Sequence, residues 1–223
     1  MSKLIIAFVP KDSKEFKYII ENSEYTGYST FEALSSHFLK DSIPIKILLL
    51  RPESLDKTLE DNIKEILISL GIREEDIKFF EIPITGGYEG KRFITDPKII
   101  SDFIFLSLKE TYKEEYKEVI LDVSRGLNFL VLSAVEAYRR FIVSIKAKNL
   151  LHKESIPAFA YVYLTPLEEN KVYEISLEKM DAPFFFDYFK NHNKLPFNFR
   201  EAEERELYSE LNFIKRITYL GNT

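Results

Sequence analysis

The 223-residue sequence holds no cysteine, no tryptophan and no glutamine, and only three histidines. Without cysteine there is no disulfide, no thiolate metal site and no cysteine nucleophile. His37, His152 and His192 lie far apart and lack helical metal-ligand pairing, so neither a metal nor a cofactor is expected. No apolar run approaches the length of a membrane span, and the opening MSKLIIAFVP lacks a signal-peptide cleavage pattern. These absences point to a cytoplasmic protein without a membrane partner. The usual nucleotide signatures are missing too. The first apolar run leads into PKDSK rather than a GxGxxG turn, the later GGYEG has the wrong spacing, and no Walker-type phosphate loop occurs. A formal charge of −5 argues against binding along an extended nucleic acid, which needs a basic stripe to release counterions.

What is present is a hydrophobic fraction of 45%, enough for one sizeable core plus an appendage. Scarce thermolabile side chains and many charges suit a heat-adapted source, although an AT-rich genome biases composition the same way. Lys3 to Val9 is a continuous apolar run closed by Pro10, the pattern of a central parallel strand. Residues 10–30 read as a long polar loop, and Ser29 as the N-cap of a helix through Phe31, Leu34 and Phe38. Ile43 to Leu50 is a second strand. Ser54 to Leu70 is an amphipathic helix ended by Gly71. Ile77 to Ile84 is a third strand, followed by a polar loop over 85–96 and a helix capped by Thr95 or Asp96 with Pro97 in its first turn.

The stretch Glu118 to Leu132 (EVILDVSRGLNFLVL) joins a fourth strand to a long helix, from about Arg125 to Lys148, through a polar knot. Two further runs, Ala158 to Leu164 and Lys171 to Leu177, read as an antiparallel hairpin across TPLEEN. The expected fold is therefore α/β: a Rossmann-like, doubly wound, mostly parallel sheet ending in an antiparallel hairpin, with a C-terminal helical extension. Residues 1–180 would form the ligand-binding domain. Residues 181–223, aromatic and basic and then highly charged, would form the extension or a connector.

Ligands of such sheets bind outside the carboxyl ends of the strands, and the polar loops at 10–30, 85–96 and 122–128 share that edge. In the third loop Ser124 is placed to cap the helix and Gly126 lets a ligand approach the backbone. Arg125 supplies a fixed positive fork, and Asn128 both donors and acceptors. The turn is thus either a capped helix start after a strand or an anion site.

VILDVSRGLNFL resembles the turn of the CRISPR-associated Rossmann fold (CARF) domains, where a strand ends in Asp-x-Ser/Thr-x-Gly-x-Asn. EYTGYSTFEALSSHF is similar to the approach to their first helix, and EIPITGG to their third-strand loop, so the resemblance covers about residues 3–180. The subgroup it resembles is the archaeal CRISPR-associated ribonucleases that join a CARF domain to a C-terminal HEPN nuclease. The resemblance implies a homodimer that binds a cyclic oligoadenylate, with the four-membered ring suiting the two-fold axis. Ser124, Arg125, Gly126 and Asn128 would contact phosphate and ribose, Lys11, Asp12 and Ser13 would hold a phosphate or adenine edge, and Thr85, Gly86 and Gly87 would line the third side.

Two departures matter. Arg125 stands where the subgroup usually has histidine, which keeps anion contact but removes a proton shuttle near neutral pH. The HEPN pairing of an arginine with a histidine shortly after it is absent: neither His152, expected in a loop, nor His192, expected near a helix end, follows an arginine closely. An effector domain is therefore either missing or was never attached. Some family members cut the ring by in-line attack of a ribose 2′-hydroxyl on the adjacent phosphate, without metal. Lys11, Ser13 and Arg125 are the catalytic candidates if this chain is such a ring nuclease. A CARF transcription regulator is the third reading, against which the acidic EAEERELYSEL counts.

Overall fold

A computed structural model of the chain describes residues 2–11, 14–88, 91–152, 156–168 and 172–180. The expected helical extension over 181–223, His192 within it, and the site candidates Asp12 and Ser13 lie outside the described residues. Two compact units emerge, Met1–Ile142 with Pro157–Asp181 and Val143–Ile156 with Ala182–Thr223.

The first unit is built on an eight-stranded sheet. Four of its parallel strands are the apolar runs read from the sequence: β1 (Ser2–Phe8), β4 (Ile45–Pro52), β5 (Ile77–Ile82) and β8 (Tyr116–Asp122). They pair in parallel in the order β8-β1-β4-β5, and β9 (Ala158–Glu168) joins β8 in parallel. β10 (Val172–Lys179) returns antiparallel to β9, as the hairpin reading requires. A strand buried on both faces needs apolar side chains on both, and Leu4 to Val9 are all buried.

The two faces carry different helices. Ile5, Ala7 and Val9 face a cluster that includes Leu34 and Phe38 of α1 (Thr30–Lys40) and Ile63 and Leu67 of α2 (Thr58–Ser69). The opposite face meets α4 (Asn128–His152), whose Tyr138 and Phe141 lie against Phe159 of β9. In turn α4 packs on α3 (Pro97–Thr111), with Arg140 bonded to Asp102 at 2.5 Å. Ser29 and Asp96 cap α1 and α3 through their side chains, as expected. The second helix begins later than its apolar pattern suggested. Pro52 and Leu55 form a turn first, and Asp56 accepts the backbone N–H of Thr58. No described helix is long and apolar enough to cross a membrane. His152, expected in a loop, is the last residue of α4.

Two supposed loops contain strands. Within 10–30 lie β2 (Phe16–Ile20) and β3 (Ser23–Gly27), an antiparallel hairpin whose first strand pairs with β10 in parallel. Glu21 and Asn22 turn it with φ of 47° and 68°, the left-handed pair of a two-residue hairpin turn. Within 85–96, β6 (Gly86–Tyr88) and β7 (Lys91–Phe93) form a separate two-stranded ribbon. The full order of the large sheet is β3-β2-β10-β9-β8-β1-β4-β5.

Register gives this sheet a raised side. Asp122, the last residue of β8, pairs with Val162, and β9 runs six residues further, from Val162 to Glu168. That overhang is about 20 Å at the rise of a strand. β10 and β2 pair along it, so Tyr18 stands beside Tyr173, which faces Pro166. A wall therefore rises beyond the carboxyl ends of β8 and β1.

One buried polar contact ties α4 to this frame. The Tyr138 hydroxyl lies 2.6 Å from the Val119 carbonyl and 3.1 Å from that of Ala160, donating to a pair of acceptors on β8 and β9. Tyr138→Phe leaves both carbonyls short of that donor, and we expect a loss of about 1–2 kcal/mol in urea unfolding with the fold retained.

Candidate functional site

The site grows from the end of β8. Asp122 is buried, and its Oδ1 accepts the N–H of Ser124 at 2.9 Å, closing a tight side-chain turn where the strand stops. Ser124, expected to cap α4, does something else. Its hydroxyl pairs at 2.7 Å with that of Thr30, the first residue of α1. The first hydrogen bonds of α4 instead go to the carbonyl of Leu127, from Leu130 and Val131. The helix thus starts at Asn128, three residues later than its apolar pattern suggested, and Asn128 is exposed in its first turn. The leading N–H groups of that turn have no partners within the helix.

Gly126 holds the turn against β1. Its φ of 130° disfavours any side chain, and an added Cβ would come within 3.2 Å of Val131 and 3.3 Å of Phe8. The backbone here is exposed, so a ligand meets peptide groups directly.

Arg125 reaches the raised wall. Its guanidinium sits 4.7 Å from the centroid of Phe16, and Nη2 donates to the Tyr18 hydroxyl at 3.2 Å. Burial pushes the Tyr18 phenol up to about 12, with Arg125 opposing, so the hydroxyl stays neutral and accepts. On α1, Ser29 and Glu32 form a reciprocal capping box: the Glu32 N–H donates to Ser29 Oγ at 3.3 Å, and Ser29 Oγ donates to Glu32 Oε1 at 2.9 Å. Glu32 also accepts the N–H of Tyr28, and burial nonetheless pushes its carboxyl up. Burial likewise raises the Asp122 carboxyl to about 6, with Ser124 and Arg125 opposing.

So β8–α4 brings Ser124, Arg125 and Gly126 together, with Asn128 one turn on. Lys11 is exposed just past β1, whose pairing continues through the Val9 N–H to the Leu50 carbonyl. Thr85 follows β5, and Gly86 and Gly87 open the small ribbon, both exposed. These three share the carboxyl edge but lie three strands from β8, on the order of 14 Å away at ordinary strand spacing. The site also includes residues that the sequence did not suggest: Thr30, Glu32, Phe16 and Tyr18. The signals for them were the S-T-F-E capping box and the alternation of Tyr18 and Ile20 with polar neighbours.

Chemically, the turn offers the N–H groups of a helix start, a hydroxyl pair and the Arg125 guanidinium, a set suited to an anion. Among the described residues, no group of three His, Asp or Glu side chains is placed to hold a metal.

The family model described as "CRISPR system endoribonuclease Csx1, CARF domain" matches residues 4–164. No curated protein gives a match. Among solved structures, that of protein VC1899 from Vibrio cholerae is similar at 16% identity and a TM-score of 0.40, over 72% of this chain and 30% of that one. The chain thus spans under a third of that protein's length.

The Asp122 carboxyl makes stability depend on pH in a definite direction. Raised from 3.8 to about 6, it favours the fold below pH 4, and that advantage is lost as pH rises through 6. The difference amounts to about 3 kcal/mol. Asp122→Asn keeps the acceptor for Ser124 and removes the titration. Urea unfolding at pH 4 and pH 7 should therefore show the variant gaining on the wild type at the higher pH, and an equal difference at both contradicts it.

Proposed function

The chain belongs to the family of the CARF domain of CRISPR system endoribonuclease Csx1, and on that premise we propose that it senses a cyclic oligoadenylate, cyclic tetra-adenylate in the first place. Membership gives it a CRISPR-associated ligand-sensing role. The finer reading rests on one observation above the others: the β8–α4 turn presents Ser124, Arg125 and the open backbone of Gly126 at the carboxyl edge. A phosphodiester is the anion this set accommodates. The hydroxyls and N–H groups take its oxygens, and Arg125 balances its charge.

A four-membered ring has two-fold symmetry available to it, which a homodimer matches with one such edge from each protomer. The exposed apolar residues at the start of α4 support that arrangement. Leu127, just before the helix, is 51% exposed and Leu132 70%, whereas Leu130 between them is buried. Ser124, Arg125, Gly126 and Asn128 then contact phosphate and ribose, and Lys11 with Asp12 and Ser13 takes a phosphate or adenine edge. Thr85, Gly86 and Gly87 close the far side, a span that a ring is large enough to bridge. Residues 1–180 act as the sensor and 181–223 as a helical extension or connector.

The test is equilibrium binding of labelled cyclic tri-, tetra- and hexa-adenylate without metal, with the products analysed in the same samples. Tightest binding of the tetramer with no product is the expected result. Linear products ending in a 2′,3′-cyclic phosphate make the chain a ring nuclease instead, and no binding at micromolar protein overturns both. Arg125→Ala should weaken binding about tenfold or more, the loss of a charge-assisted contact. Unchanged affinity would reduce the turn to a structural junction.

A further inference from the structure

The partners of Arg125 are unusual for an arginine. Asp122 and Glu32 are near enough to act on it through their charge, yet among the described residues neither forms an ion pair with it. It is held by a phenol and an aromatic face instead. A guanidinium held this way keeps its full charge for a ligand, whereas carboxylate pairing offsets that charge within the protein.

The ring beside it is packed on two others. Phe16 meets Tyr173 edge to face, with centroids 5.5 Å apart at 74°, and Tyr18 at 6.5 Å and 60°. Tyr18 is fully buried and packs on Tyr173 at 6.3 Å. Three aromatic side chains from β2 and β10 thus form a fixed base on the raised wall, and Arg125 lies over one of them. A cation over an aromatic ring is already in place.

The geometry points to a third layer: Phe16 and Arg125 form a stacking subsite for a purine base of the ligand, taken on the guanidinium face opposite Phe16. The inference rests on the proposed ring binding. It assigns Arg125 a role that a point charge does not have. Its plane receives the base, while its free N–H edge remains for the neighbouring phosphate. Layered contacts between arginine, an aromatic ring and a nucleobase combine cation–π attraction with stacking, and both favour the larger π surface of a purine. Phe16 and Tyr18 are accordingly positioning residues, acting on the ligand through Arg125.

The test uses cyclic tetra-adenylate carrying one 2-aminopurine, whose fluorescence falls when it stacks, on the wild type, Arg125→Lys and Phe16→Leu. Lysine keeps the charge and loses the plane, and leucine keeps the apolar packing and loses the ring. Both variants should bind about tenfold or more weakly, the loss of one stacked base, and should lose the quenching. The salt dependence of binding should stay unchanged in Phe16→Leu, whose charge is the same. If Arg125→Lys binds like the wild type with quenching intact, Arg125 is a point charge and the subsite falls, while ring binding stands. Failure of the wild type to bind any ring overturns both. Thermal unfolding of each variant separates a lost fold from a lost contact, and a Phe16→Tyr variant, which keeps a ring, should restore quenching.

Discussion

The pairing of β8 with β9 stops at Asp122 and Val162, while β9 continues to Glu168. A strand cannot leave its backbone groups unpaired over that length, so β10 folds back along it and β2 adds to β10. The N-terminal hairpin is thereby carried to the far edge of the sheet, although it follows β1 at the centre in sequence. Phe16 and Tyr18 reach Arg125 only because of that placement. The overhang decides what surrounds the β8–α4 turn, and the turn decides what the edge presents.

Charge around the turn is balanced rather than abundant. Arg125 faces two buried carboxyls, Asp122 and Glu32, both raised by burial. With both ionised the local sum is negative, which opposes a second anion. Proton uptake at Asp122 would relieve that excess. The same carboxyl occupies the Ser124 N–H. The polarity of the turn thus lies in hydroxyls, open backbone and Arg125 rather than in a basic surface, in keeping with an acidic chain.

Much of this was legible from residue patterns. The apolar runs at 3–9, 43–50, 77–84 and 119–121 gave the parallel core, because a strand covered on both faces leaves no room for polar alternation. Ser29 and Asp96 gave two helix starts, since each has the side chain that an unpaired N–H requires. The β2–β3 hairpin stayed hidden for an equally definite reason. Its turn is Glu21-Asn22, without the glycine that usually marks left-handed residues, and it sits between strands of five residues. The role of Ser124 was hidden because capping is a local habit of serine, whereas its partner Thr30 is remote in sequence. Arg125 was picked out for its charge, but its aromatic partners come from a strand that the sequence did not announce.

The pairing of Tyr18 with Tyr173 also sets an order of events during synthesis. Phe16 and Tyr18 leave the ribosome well before their sheet neighbour, which is made only after β9. Until then the hairpin has no edge to join, and contacts so distant in sequence close slowly. β1, β4, β5 and β8 have all been made by that stage and are free to assemble without it. The half of the molecule that holds the turn is thus complete before the half that braces Arg125, so a nascent chain carries the turn's hydroxyls and backbone groups well before it carries the wall beside them.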